Sequence, residues 1–286
     1  GKITLSDGGT YEGEWMAGVI NGQGVAVYAN GVRYEGSFRN ALHHGQGVMT
    51  NPSGYVYDGT WVNGTKEGEA SITYPDGSVY EGEIRGDLAN GEGKTTYPDG
   101  ATYEGDWVDG VIEGEGRATY PNGVIYEGDF SNARYNGEGT ITYPDGYTYE
   151  GDWKDNQRHG SGTATYADGT VYTGDFREDR RHGQGTITMP DGFRYEGGWV
   201  NGVFEGEGTA TYANGDVYEG MFKDGKREGE GVLRYATGEE ASGEWVNGVL
   251  TTATPVASEE EAGEDGTVSE AGTDGTQAEG EQAGGN

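Results

Sequence analysis

The sequence predicts an all-β chain: an elongated, twisted, single-layer antiparallel sheet built from tandem 23-residue hairpins. Three observations carry this. Tyrosine stands at Tyr11, Tyr34, Tyr57, Tyr80, Tyr103, Tyr126, Tyr149, Tyr172, Tyr195 and Tyr218, every step 23 residues with no insertion or deletion. Each tyrosine opens a stretch such as YEGDW (residues 103–107), in which bulky and acidic residues alternate with the period-2 signature of a strand. Asn-Gly and Asp-Gly pairs punctuate each copy, as hairpin turns require. A fixed period of this length marks a stacked architecture in which each unit contacts only its neighbours.

The copy at 103–125 shows the elements in order. Tyr103, Gly105 and Trp107 share one face of a first strand, and Glu104 and Asp106 share the other, toward water. Asp109-Gly110 opens a turn region that runs to Gly114. A second strand follows from Gly116 to Tyr120, with Gly116, Ala118 and Tyr120 inward and Arg117 and Thr119 outward. Pro121-Asn122-Gly123 then turns the chain into the next copy. The expected repeat core is Tyr103, Gly105, Trp107, Gly114, Gly116 and Tyr120. The central glycine leaves inner-face space for neighbouring rings.

The ends are partial copies. Residues 1–8 match only a second strand and its turn. Residues 241–248 match a first strand, with Ala241 in the tyrosine position and no second strand expected after it. The reading therefore divides the chain into an array at 1–250 and a tail at 251–286. The tail has nine acids, no Lys or Arg and no aromatic. Such a segment buries too little apolar surface to offset chain entropy and is expected to be disordered.

A second period lies inside the first. The fifth position of each copy reads Trp15, Phe38, Trp61, Ile84, Trp107, Phe130, Trp153, Phe176, Trp199, Phe222 and Trp245, so all six tryptophans fall on odd copies. A second-strand position alternates with it. From Trp107 onward a copy with Trp carries Ala there, and a copy with Phe carries Ile or Leu. That is the volume compensation that close packing demands. The rule fails in copies three and four, where Trp61 goes with Ile72 and Ile84 with Thr95. Looser or shifted packing is expected there.

Composition excludes several functions. A formal charge of −32 makes nucleic acid and anionic lipid repulsive partners overall. With no cysteine there is no disulfide framework and no thiolate zinc site. No apolar run approaches membrane-spanning length, and no signal peptide is visible, although the chain begins at Gly1 without Met. The compartment stays open between cytoplasmic and periplasmic or membrane-peripheral. Carboxylates such as Glu81, Glu104, Glu127 and Glu150 form a repeated outward ladder. Acid–base catalysis needs carboxyls whose environments differ, and no phosphate loop, nucleophile elbow or HExxH is present. The chain is read as no enzyme, with no cofactor and no metal. The basic residues are unevenly spread. Lys154, Arg158, His159, Arg177, Arg180, Arg181 and His182 crowd two adjacent copies and form a candidate patch for an anionic partner, against the plainer reading of exposed turn residues. A hairpin step of roughly 10 Å argues against zinc held by His159 and His182.

The repeat YEGxW…GxG…YPDG at 23 residues resembles the MORN family (membrane occupation and recognition nexus). The resemblance covers about residues 1–250. Departures are few: Ala70 breaks one GxG pair, Asn51 and Met189 replace the second tyrosine, and Ala241 replaces the first. The resemblance implies a non-catalytic scaffold or protein-interaction module whose protein partners are unidentified, with membrane association as the family's name proposes. Similar repeats also occur beside lipid kinases and methyltransferases, so one alternative is a fragment of a larger enzyme whose catalytic domain is absent here. A glycan- or wall-binding repeat protein is the other alternative, but its adjacent aromatics are missing. Exposed edge strands leave an end-to-end homodimer open, opposed by the charge.

Overall fold

The computed structural model describes residues 1–254. They form one antiparallel sheet of 23 strands, from Lys2–Thr4 to Val249–Ala253. Each strand bonds its neighbours in the chain, so the sheet is an uninterrupted meander. No helix occurs among the described residues. The expected disordered segment lies outside them from residue 255 onward.

Each full repeat supplies a seven-residue first strand, as Thr102–Val108, and a nine-residue second strand, as Val111–Thr119. The turn between them is tighter than the sequence suggests. Asp109 and Gly110 both take positive φ (47° and 82°), the geometry of a two-residue hairpin turn. The second strand therefore starts at Val111 and already contains Gly114. A bulge between Gly105 and Trp107 accommodates the extra residues. Strand pairing with a bulge preserves backbone hydrogen bonds that a six-residue loop would expose.

The array's last element also corrects the expectation. Val249–Ala253 is a strand paired with Glu240–Val246, with Leu250 opposite Trp245. The Thr254 N–H donates to Ser242 O at 2.8 Å. Backbone groups can pair there without the repeat's side chains, so the missing motif hid the strand.

Glycines opposite one another run across the sheet as a stripe. Gly105 faces Gly93 on one side and Gly116 on the other, and Gly128 and Gly139 continue the line. Ala70 is the interruption between Gly59 and Gly82. A Cβ on Gly116 would lie 2.6 Å from the Tyr103 ring. The tyrosine ring lies flat on this bare backbone. Its hydroxyl donates to the carbonyl of Asp106 at 3.0 Å, and all ten tyrosines of the ladder make the same bond three residues ahead. The phenol thus spends its polar atom on backbone, and Tyr103 is only 2% exposed.

The large residues stand between the tyrosines. Trp153 meets Tyr126 and Tyr149 edge-on at 5.5 and 5.1 Å, and Phe176 stands likewise between Tyr149 and Tyr172. Each of five indoles donates Nε1–H to a glycine carbonyl 14 residues earlier: Trp61 to Gly47, Trp107 to Gly93, Trp153 to Gly139, Trp199 to Gly185 and Trp245 to Gly231. The buried side chains fall into two groups, Tyr11 to Ala89 and Tyr103 to Trp245. They meet at Trp107, which packs on both. The division follows Ile84 and Thr95, where the volume rule fails.

Candidate functional site

The sheet offers two unlike faces. On one, the glycine stripe is the floor of a groove of about 1230 Å³ running across copies two to five. Asp58, Glu69, Glu81, Glu92, Glu104 and Glu115 line it, with Lys94 among them. Glu104 and Glu127 are exposed, as expected, and face Lys94 and Arg117 at 4.0 and 2.8 Å. Exposed pairs of this kind contribute little. Asp106 behaves differently from the expected water-facing acid. It is half-buried, and its carboxylate accepts the Glu115 N–H at 3.1 Å, anchoring the bulge. Asp129, Asp152 and Asp175 do the same. Gly114 is required beside it: φ is +78°, and a Cβ would meet the Asp106 carboxylate at 2.6 Å.

The other face is aromatic, and the second residue of each second strand covers it. His43, Tyr135 and Phe204 stack on the ladder tyrosines Tyr34, Tyr126 and Tyr195 at 3.7, 3.6 and 3.9 Å. Lys66, Arg158, Arg181 and Arg227 occupy the same position. Arg181 lies 4.5 Å over Trp199 and Arg227 lies 4.2 Å over Trp245. These are cation–π contacts with rings that water does not reach. Burial pushes the Tyr34 phenol up to about 12 and holds His43 down at about 4. Burial likewise raises the Tyr103 phenol.

The seven residues of the candidate basic patch separate accordingly. Arg158 and Arg181 cover rings. Arg158 also donates Nε–H to Asp179 Oδ1 at 3.1 Å, NH2 to Asp179 O at 2.7 Å, and NH1 to the Tyr147 hydroxyl. Lys154, Arg177 and Arg180 are exposed at the hairpin turns, and Arg177 and Arg180 pair directly across one turn. His159 and His182 occupy a position that elsewhere supplies a repeat-to-repeat acceptor: the Asn63 N–H donates to His44 Nδ1 at 3.3 Å, and the Asn132 N–H to Glu113 at 2.9 Å. His182 Nδ1 is buried with no partner among the described residues. No trio of His, Cys, Asp or Glu among the described residues could hold a metal ion. No helix there is long and apolar enough to cross a membrane.

Of the expected repeat core, Tyr103 is buried and Gly105, Trp107 and Gly116 are partly buried, whereas Gly114 is exposed beside the Asp106 carboxylate and Tyr120 also lies outside the core. The strand ends at Thr119, and Tyr120 begins the turn, its N–H donating to Val124 O and its own carbonyl accepting from Gly123. Its ring is 39% exposed and bonded through its hydroxyl to Tyr135. Equivalent tyrosines at Tyr28, Tyr74, Tyr97, Tyr143 and Tyr235 are exposed to the same degree. They form a second, outer tyrosine row that the period-2 reading assigned to the core.

A family model for the MORN repeat matches ten consecutive segments: 11–33, 34–54, 57–79, 80–102, 103–125, 126–146, 149–171, 172–194, 195–217 and 218–240. Comparison with curated proteins gives no match. Among solved structures, the TCP10 domain of Danio rerio CPAP in complex with a peptide of Danio rerio STIL aligns at 14% identity and a TM-score of 0.41, covering 86% of this chain and 100% of that one. The TCP domain of Drosophila melanogaster SAS-4 (dCPAP), in complex with a proline-rich motif of Ana2 (dSTIL), aligns at 12% identity and a TM-score of 0.32, covering 69% of this chain and 88% of that one. Likenesses this distant carry no argument about what this chain does.

Proposed function

Because the chain belongs to the MORN repeat family, matched over ten of its copies, we propose that it is a non-catalytic scaffold that binds other proteins along its sheet. One observation carries this reading. The bulge carboxylate recurs every 23 residues in one setting over four consecutive copies, as Asp106, Asp129, Asp152 and Asp175 on the bulge N–H groups. Repetition of one setting multiplies contacts along a surface. It does not create the unlike neighbours that acid–base or nucleophilic catalysis requires. Cross-linking of the full chain in a lysate of its source, followed by peptide mapping, tests the reading. The expected result is a small set of proteins linked to residues 1–254. Cross-links confined to residues 255–286 would overturn it.

Contact with an anionic membrane is a second reading, favoured by the exposed Lys154, Arg177 and Arg180 at adjacent turns. Each Lys or Arg near such a surface contributes about 1 kcal/mol. The acids of the same turns, Asp155, Glu178 and Asp179, oppose it.

A further inference from the structure

The outer tyrosine row borders the core: Tyr120 and Tyr143 are exposed, and Tyr166 and Tyr212 are half-buried against it. Around Tyr143 it is continuous: Tyr147 lies 5.5 Å from Tyr143 and 5.3 Å from Tyr166, so the two row tyrosines are no more than about 11 Å apart. This agrees with a hairpin step of two strands at about 4.8 Å each, or about 9.6 Å per repeat. A cleft of about 640 Å³ opens beside these rings, bounded by Tyr120, Tyr135, Tyr143, Tyr147 and Arg158. A cleft of about 590 Å³ recurs three repeats later between Met189, Phe193, Tyr212 and Arg227. The cleft thus occurs at two equivalent places in the array.

A polyproline II helix turns once in three residues and rises about 3.1 Å per residue, so it repeats one face every 9.3 Å or so. That spacing matches the tyrosine step. Flat aromatic rings are what such helices dock on, because proline's ring packs against them and the helix is already ordered. Charge selects further. Two residues beyond Tyr143, Tyr166 and Met189 stand the exposed turn carboxylates Asp145, Asp168 and Asp191, and the whole chain is strongly acidic. The chain's own residues 255–286 are acidic, without Lys or Arg, and are the wrong sign to occupy the track.

We propose that the outer tyrosine row at Tyr120, Tyr143 and Tyr166, with Tyr147 bridging the last two, is a docking track for a proline-rich, Arg- or Lys-bearing segment of a partner protein in the polyproline II conformation. It rests on the scaffold reading above and names the chemistry of the partner. One turn of the partner sits on each repeat. Prolines contact the rings, and the basic side chains reach the turn carboxylates.

The test is fluorescence anisotropy with the full chain and three labelled twelve-residue peptides. (Pro-Pro-Arg)4 is about 37 Å long as polyproline II and spans about four repeats. (Gly-Ser-Arg)4 has the same charge without the helix, and (Pro-Pro-Glu)4 has the helix with the opposite charge. The expected result is binding of (Pro-Pro-Arg)4 at least tenfold tighter than either of the others. A Tyr143→Asn, Tyr166→Asn variant should lose at least tenfold. Asn51 holds the equivalent position in the native array, so this variant keeps the fold, which circular dichroism verifies. A Glu127→Gln, Glu150→Gln variant on the opposite face should bind within twofold of the parent. Equal binding of the two Arg peptides, no binding of any peptide, or an unchanged affinity in the tyrosine variant would each overturn the proposal. If it fails while cross-linking still finds partners on residues 1–254, the scaffold reading stands and only the partner's chemistry is wrong.

Discussion

The stretch Tyr11–Ala89 and the stretch Tyr103–Trp245 share one backbone and differ in their packing. Strand follows strand across their junction without a break: Thr102–Val108 pairs with Leu88–Thr96 over six residues. The side chains do not follow suit. In the later stretch each aromatic wedge is Trp or Phe and the alternation of volumes is regular. At the end of the earlier one the wedge is Ile84, its second-strand partner is Thr95, and the ring-covering position holds only Ala89. Ser78, Asn90 and Thr95 are buried there although polar. Hydrogen bonding across a sheet is therefore compatible with two cores, because ladder bonds are indifferent to side-chain volume and close packing is not. In a repeat array, stability is a sum of unit and interface contributions, and the weakest interface sets where cooperativity ends.

This comparison can be broken most forcefully inside the later stretch. Tyr149 is fully buried on the glycine stripe. Tyr149→Ala should cost about 3–5 kcal/mol, the range for buried aromatics, and chemical denaturation should split into two transitions, with the 103–245 half unfolding first. A single shifted transition would show that the halves are one cooperative unit. Thr95→Val sharpens the comparison from the other side. Removing a buried hydroxyl at the junction should stabilise by about 1 kcal/mol and bring hydrogen-exchange opening of the two halves closer together.

Much of this was legible in the sequence. Tyr103, Gly105 and Trp107 announce strand and face because alternation is local. The weak junction showed itself as Ile84 with Thr95, because volume compensation is visible without coordinates. Alternation assigns Tyr120 to the core because it continues on paper past Thr119, where the turn bonded from Tyr120 N–H to Val124 O begins. Asp106 reads as a solvated acid in the sequence because its partner, the Glu115 N–H, is in place only once the bulge forms. The role of Arg158 was hidden for a related reason: its ring contacts, Tyr149 and Phe176, lie on strands either side of its own.

A smaller effect distinguishes the halves by pH. His43, stacked on Tyr34 in the earlier stretch, has its value lowered to about 4 by burial. An unfolded histidine titrates near 6.5. Between those values the unfolded chain holds a proton that the folded chain does not, so this group's contribution is present above pH 6.5 and declines as pH falls toward 4. His43→Phe, which copies Phe204, should reduce the acid sensitivity of the earlier stretch and leave the later one unchanged. Thermal melts of both proteins from pH 7 to pH 4 measure this.

The smallest expected effect concerns the later stretch alone. Co-sedimentation with anionic liposomes at low salt should show weak attachment that disappears at physiological salt, where charges are screened over about 8 Å. Arg177→Glu with Arg180→Glu should abolish it. Equal pelleting of parent and variant would remove these turns from membrane contact.

The bond from five of the indoles to a carbonyl 14 residues earlier has a consequence for how such an array can change in evolution. Tryptophan returns every 46 residues, and each wedge is seated between tyrosines of two repeats. Duplicating or deleting a single hairpin would place two copies of like volume side by side and misfit both seats. Duplicating a pair of hairpins leaves every seat as it was. The array is thus a ruler with graduations of 46 residues, about 19 Å of sheet at the usual strand spacing. Selection on length acts in whole graduations, and copies three and four, where the alternation has already lapsed, are the one place where a half-step would meet little resistance.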